Sequence, residues 1–419
     1  SVGTSTNLPA GERPGDAATV PAPPGAIDTP QFLGPNRDGV LVGARLARDW
    51  ASTPPREVWR RSVGAAWSAF AVVGGRAYTQ EQRGEDEWVS CYALKDGSLL
   101  WAQTNRARFF QWQGGEGPRA TPTVDRGRVF AFGGTGILDC LDATTGVRLW
   151  TRSVLAEHDL PNLIWGVSAS PLVFGDTVVV TGGMTNRATA LAYKRETGEP
   201  LWTAGTNMAS YASPVYAKVA GRPLVLSVEA SGLIGYDPAT GAEVLRHVWG
   251  KGDWPKASQP VVVGEDRIFL SAGYTVGCLM IRVTARPDGG MSTEELWKNK
   301  RMKTQFNSAV YRGGDLFGLD DGLLACVDAE TGERRWKDGR YGAGQILVVD
   351  DLIVIQSEPG FVALAEANRA GFRELGRIAA LDAKTWNYPT LAGRYLIART
   401  DREAVCYELP VEPGAVSGR

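Results

Sequence analysis

Short apolar runs bounded by Gly or Asp turns recur along most of this chain: RVFAFG, TVVVTGG, RIFLSAG, DLIVIQS and RYLIART. Runs of this length between turn signals read as buried strands, not helices. A second pattern is woven through them. Six segments align on one frame: Cys91–Trp101, Cys140–Trp150, Ala192–Trp202, Gly235–Leu245, Cys326–Trp336 and Ala365–Leu375. Each has a small residue, then Gly six positions on, then Trp or Leu four positions after that. The shared glycines, Gly97, Gly146, Gly198, Gly241, Gly332 and Gly371, are 49, 52, 43, 91 and 39 residues apart. The long gap holds one degenerate unit with an extended turn, Gly277–Trp297.

Repeats of about 40–50 residues with several strands each indicate propeller blades. Every unit reads as four strands. The first opens near a Ser/Pro-type signal (TPTV at Thr121, SPLV at Ser170, SPVY at Ser213, QPVV at Gln259, NSAV at Asn307, YPTL at Tyr388). The second is the apolar run, the third carries the small residue, and the fourth carries the Trp. The T-G or D-G between the last two is a tight turn in which Gly accepts a positive φ. Seven complete units lie between about Gly64 and Ala380. Trp386–Leu409 supplies three strands of an eighth, and EVWRRSV, Glu57–Val63, matches the fourth-strand sequence VRLWTRSV. The expected fold is all-β: an eight-bladed propeller of four-stranded antiparallel blades, closed by an N-terminal strand that completes the C-terminal blade and so removes the open sheet edges. The expected organisation is a flexible tether over 1–30, a lead-in packed on the propeller over 31–56, the propeller over 57–409 and a tail over 410–419.

Composition narrows the function classes. Lys+Arg and Asp+Glu are 45 and 46, a net charge of −1, which argues against a broad electrostatic grip on nucleic acid. With two histidines, His158 and His247, a multi-histidine metal centre is excluded. The five cysteines include no C-x-x-C pair. Cys91, Cys140, Cys326 and Cys406 share one place on the third strand, where a small buried side chain is wanted, so five reduced thiols are expected and no metal site. No apolar run is long enough to span a membrane. Residues 1–30 are rich in Ser, Thr, Ala, Gly and Pro, the composition of a tether that follows a removed export signal. A monomeric periplasmic or extracellular protein is expected.

The A-x-D-x-x-T-G-x-x-x-W unit, clearest at Cys140–Trp150 and Cys326–Trp336, resembles the pyrroloquinoline quinone (PQQ) repeat. The resemblance covers about residues 57–409. It is shared by PQQ-dependent alcohol dehydrogenases and by the propeller lipoprotein of the outer-membrane β-barrel assembly machinery, which binds no quinone. In both, the resemblance implies, the Trp docks one blade on the next and reports fold, not cofactor. The segment Gln31–Val40 resembles the lead-in of exported PQQ-like propellers of environmental bacteria. Two departures from the dehydrogenases stand out: this chain has no adjacent Cys–Cys pair, and it lacks long inserts to roof a site.

In a four-stranded blade, fourth-to-first connections and second-to-third loops share one face. The non-repeating residues there are the candidate ligand-binding set: Glu81, Arg83, Trp112, Arg119, Trp165, Lys303, Asp321, Arg340, Lys384 and Trp386. Flat rings stack on a quinone or sugar, and Arg and Lys pair carboxylates. The expectation is a polar, aromatic-rimmed pocket for a small anionic or hydroxyl-rich ligand, or a protein partner. The first functional reading is an exported binding scaffold, akin to an outer-membrane assembly factor. The alternative is a PQQ-dependent oxidoreductase of an alcohol or sugar, with PQQ and Ca²⁺ as cofactors and Glu81 or Asp321 as base.

Overall fold

A computed structural model of the protein describes residues 20–184, 187–250 and 255–414. Residues 1–19 of the expected tether and 415–419 of the expected tail lie outside these.

Eight sheets of four antiparallel strands follow one another along the chain, and helix is confined, among the described residues, to Val154–Glu157. From inner to outer strand, blade one is Ala71–Val73, Arg76–Arg83, Asp86–Ala93 and Leu99–Asn105. Blades two to seven occupy residues 123–153, 172–204, 215–248, 261–299, 310–340 and 345–378. Blade eight is Thr390–Ala392, Tyr395–Arg399 and Glu403–Glu408, completed by Arg56–Ser62 from the other end of the chain, with Arg60 opposite Val405. The ring is therefore an eight-bladed propeller closed as the sequence predicts.

The burial pattern explains the two kinds of apolar run. Middle strands are sandwiched between neighbouring blades, so both faces are buried; Val178, Val179 and Val180 are all inaccessible. Outer strands have one wet face and alternate, as in Arg148–Ser153. The D-x-x-T-G-x-x-x-W frame ties one blade to the next. In blade two the Asp142 carboxylate accepts from the backbone N–H groups of Thr144 and Thr145 (3.0 and 2.8 Å), which folds the turn. Gly146 then takes φ +73° and meets the indole of Trp101 from blade one, 2.6 Å from where a Cβ would sit. The Trp101 Nε1–H donates to Ala143 O at 3.1 Å. The same dock joins Trp59 to Gly97, Trp150 to Gly198, Trp202 to Gly241 and Trp297 to Gly332.

The Ser/Pro signals have a matching role at the inner rim. Each hydroxyl accepts an N–H from the preceding blade: Ala69 N to Thr121 Oγ1 (3.1 Å), Thr121 N to Ser170 Oγ (3.0 Å), Ser170 N to Ser213 Oγ (2.9 Å) and Gln259 N to Ser308 Oγ (3.0 Å). Cys91, Cys140, Cys326 and Cys406 lie opposite the docking Trp of their own blade. In blade five Met280 takes that place, and Cys278 lies opposite Asn299. All five thiols are free and buried, and burial pushes those of Cys278 and Cys326 up to about 12.

The segment before the first repeat does more than coat the ring. Residues 20–30, assigned on composition to the tether, are held on the propeller: Ala22 packs on Gly75, Gly25 on Arg394, and Thr29 pairs with Val72. The chain then enters the central channel. Pro30 O accepts from Val124 N (2.8 Å), and Phe32 meets Tyr388 edge-on at 4.8 Å. Arg37 donates to Pro171 O and Ser170 O (2.9 and 3.0 Å), and burial among carbonyl oxygens pushes its guanidinium down to about 9. Gly39, at φ +76°, lets the backbone pass Val310, whose Cγ2 lies 2.7 Å from where a Cβ would be. Val40–Leu41 then adds a parallel fifth strand to the inner edge of blade seven. Residues 29–41 therefore touch the inner strands of blades one, two, six, seven and eight, and the residues leading into those of three and five, and they fill the channel as a plug.

Candidate functional site

The plug sets the depth of the site. Above Phe32, on the face formed by the fourth-to-first connections, a cavity of about 440 Å³ opens to the surface. Its wall is mostly rings. Trp67 and Trp386 lie 5.1 Å apart, Phe306 is 4.9 Å from Trp386, and Trp165 is 5.5 Å from Tyr211 across the funnel. Tyr274 and Tyr388 complete it. The polar groups are mainly amides and hydroxyls, among them Gln113, Gln305, Gln345 and Ser168.

Of the ten sequence candidates, three line this cavity: Arg119, Trp165 and Trp386. Trp386 is held by its Nε1–H, which donates to Glu358 Oε1 at 2.8 Å. Arg119 points its guanidinium at backbone, donating to Trp165 O (3.0 Å), Gly115 O (2.8 Å), Gly114 O (3.2 Å) and Gly117 O, with Phe109 4.6 Å beneath it. Burial pushes it down to about 10. It braces the 114–119 loop against the next connection and has little left for a ligand. Lys384 stands at the rim, its ammonium 3.9 Å from the Trp386 ring centre and 5.7 Å from that of Trp67.

The other six sit elsewhere on the blades. Glu81 is fully buried and accepts from Gly64 N (2.6 Å), Arg83 Nε (2.9 Å) and the Tyr92 hydroxyl. Burial opposes its charge, but Arg83, Arg399 and these hydrogen bonds outweigh that and hold it below the usual carboxylate range. Glu81 and Arg83 thus satisfy each other. Lys303 is similarly committed to Asp320 (2.5 Å) and Asp321 (2.9 Å). Burial disfavours its charge, yet the two carboxylates raise it above the ordinary lysine value. Arg340 is exposed at the end of an outer strand. Trp112, 78% exposed, tops the small hairpin Phe110–Gln111/Gly115–Glu116 and does not line the cavity. The expected ring of cations is thus not assembled: Arg83 and Lys303 are taken up by acids beside them, Arg119 by backbone carbonyls, Arg340 and Lys384 do not line the cavity, and the interior is aromatic.

Sequence reasoning missed Phe32, Trp67, Gln113, Gln345 and Tyr388 as lining residues. Trp67 precedes the first aligned repeat, and the sequence around Tyr388 signals only a strand start. One buried acid lies behind the wall. Glu87 accepts from Gly134 N (2.9 Å); burial, with Asp139 adding to it and Arg119 opposing, pushes it up to about 7. Between the ordinary glutamate value and about 7 the folded state therefore holds a proton that the unfolded chain has lost, so stability falls as pH rises through that window. Thermal unfolding followed from pH 5 to 7.5 is expected to show this fall, by on the order of 3 kcal/mol for this group, and Glu87→Gln is expected to remove that share of it.

Comparison with known proteins decides the family. A protein-family profile described as outer membrane protein assembly factor BamB matches residues 85–338. The chain belongs to that family. BamB from Moraxella catarrhalis superimposes with a TM-score of 0.62 at 17% identity, covering 85% of this chain and 98% of that one. A europium-containing methanol dehydrogenase does so equally, at 0.62 and 12% identity, covering 91% and 98%. At such identities both show the fold alone. Among curated proteins, tetrathionate hydrolase from Acidithiobacillus ferrooxidans (strain ATCC 23270 / DSM 14882 / CIP 104768 / NCIMB 8455) is 26% identical over 241 residues, 54% of this chain; the chain spans 45% of that relative's length. No helix among the described residues is long and apolar enough to cross a membrane.

Proposed function

We propose that this protein is an exported binding propeller, which holds a ligand or a partner's side chain in its loop-face cavity and does no redox chemistry of its own. One observation carries the reading. The cavity wall is built of rings, amides and hydroxyls, while among the described residues no carboxylate lines it and its one lining cation, Arg119, is spent on carbonyl oxygens. Aromatic walls with a few convergent polar groups are the usual make-up of a binding site. Location in the periplasm is supported by the family, whose description names an outer-membrane assembly factor.

The dehydrogenase neighbours make PQQ with Ca²⁺ the alternative. That quinone carries three carboxylates and its metal takes oxygen ligands, anionic ones above all. Neither demand is met: Arg119 is committed, Lys384 stands at the rim, and no group of three or more His, Cys, Asp or Glu is placed to hold a metal among the described residues. The described residues do not fit the group. Titration with PQQ and Ca²⁺, or PQQ and a lanthanide, followed by absorbance, is expected to show no saturation, and a dye-linked assay no turnover above the protein alone. Saturable quinone binding with turnover would replace this reading by the oxidoreductase.

A further inference from the structure

One buried polar atom of the cavity wall has no protein donor beside it. Gln345, at the start of the inner strand of blade seven, lines the wall and is 1% exposed. Its Nε2–H donates to Trp386 O at 2.9 Å, and its Oε1 is buried with nothing to accept from. An acceptor left in that state is unfavourable, so a ligand donor that meets it as the amide turns toward the cavity recovers energy that the free protein forgoes. Around it the chemistry is uniform. Trp165 and Tyr211 form one wall, Trp67 and Trp386 the other, and Gln113 and Gln305 stand between.

We propose that the cavity is a saccharide site, taking an uncharged pyranose whose apolar C–H face lies on an indole and whose hydroxyl donates to Gln345 Oε1. This rests on the reading of the cavity as a binding site and names its ligand class. A pyranose has the needed duality, flat C–H faces for rings and a perimeter of hydroxyls for amides. A charged ligand does not suit, because no carboxylate and no uncommitted cation lines the interior among the described residues. The volume, about 440 Å³, takes one or two sugar rings and no more. Outside it, the connections that supply Gln113 and Trp165 also carry Phe110, Trp112 and Ile164, which are 60%, 78% and 57% exposed. A longer chain leaving the cavity meets apolar side chains again, which favours the end of an oligosaccharide over a free monosaccharide.

The test is an array of neutral and acidic oligosaccharides probed with the full-length protein, with hits measured by quenching of tryptophan fluorescence. The expected result is binding to a neutral glycan that weakens tenfold or more in both Gln345→Leu and Trp165→Ala, and less than threefold in Lys384→Ala. Thermal melts of each variant separate lost binding from lost folding; Trp165 is partly exposed in a connection, so its variant is the safer of the two. A silent array overturns the proposal, as does neutral-glycan binding that both variants retain. Signals confined to uronate or sulfated glycans, lost in Lys384→Ala, overturn it too. Tetrathionate, run alongside, is expected to quench nothing; quenching by it in place of a glycan makes the site an anion site. None of these outcomes touches the binding reading itself, which falls only if quinone reconstitution yields turnover.

Discussion

Removing residues 1–63 is expected to abolish cooperative unfolding, whereas the protein lacking 1–19, which keeps every described contact, is expected to unfold cooperatively. The longer deletion strips out two devices. The first is the closing strand Arg56–Ser62, with Trp59 buried against blade one and hydrogen-bonded to Leu94 O at 2.7 Å. Losing a buried indole costs about 3–5 kcal/mol, and each ladder hydrogen bond adds about 1. The second is the plug, with Leu33 and Leu41 in the core beneath blades seven and eight. Together they are comparable with the whole net stability of a domain, about 5–15 kcal/mol. Deleting 1–41, which takes the plug and spares the strand, is expected to fall between the two. Calorimetry on the three truncations reads this directly. Equal melting temperatures for the deletions of 1–19 and 1–63 would mean that the ring does not depend on its N-terminal strand.

The girdle gives the second large effect. Trp101→Ala is expected to cost about 3–5 kcal/mol, since it opens a cavity between blades one and two and removes the bond to Ala143 O. Gly146→Ala attacks the same joint from the other side. Its methyl group would meet the Trp101 ring at 2.6 Å, in a backbone conformation that also disfavours a side chain. The two substitutions are in contact, so their costs are expected not to add in the double variant. Chemical denaturation of the singles and the double tests the joint. If Trp101→Ala and Gly146→Ala were both silent, the indole would not be docking the blades.

The fold was readable because its determinants repeat. A docking Trp and the Gly beneath it sit in different blades, yet most units carry both at a fixed spacing, with Leu245 and Leu375 in place of the Trp in two of them, so a non-local contact leaves a local signature. Ring closure was readable for the same reason: EVWRRSV matches the fourth-strand sequence VRLWTRSV and has no first three strands before it. The plug has no such signature. Thr29, Pro30 and Gly39 use backbone groups for their contacts, and Arg37 binds carbonyl oxygens whose positions no side chain announces. Its course, and with it the cavity floor at Phe32, follows only from the assembled channel.

The cavity lining was readable only in part. Of the ten candidates Trp165, Trp386 and Arg119 line it, and they stand out in the sequence because they interrupt the repeat on the loop face. Their face could be assigned, but not their partners. Lys303 and Asp320 are seventeen residues apart and meet because a connection folds back over the end of the second strand of blade six. Arg119 is used up by carbonyls of its own loop. A cation count therefore overstated what a ligand would meet, and the rings, which cannot neutralise one another, were left to line the cavity.

The central claim is that this cavity is the binding surface and that it is built for an uncharged partner, not a quinone. The most direct measurement is fluorine NMR of the full-length protein labelled with fluorotryptophan, with single Trp→Phe variants assigning the resonances. The account predicts that a neutral glycan identified on the array moves the signals of Trp67, Trp165 and Trp386, leaves those of the docking residues Trp59, Trp101, Trp150 and Trp202 in place, and that PQQ with Ca²⁺ moves none of them. Saturable shifts of Trp67, Trp165 and Trp386 with the quinone, and none with the glycan, would contradict it.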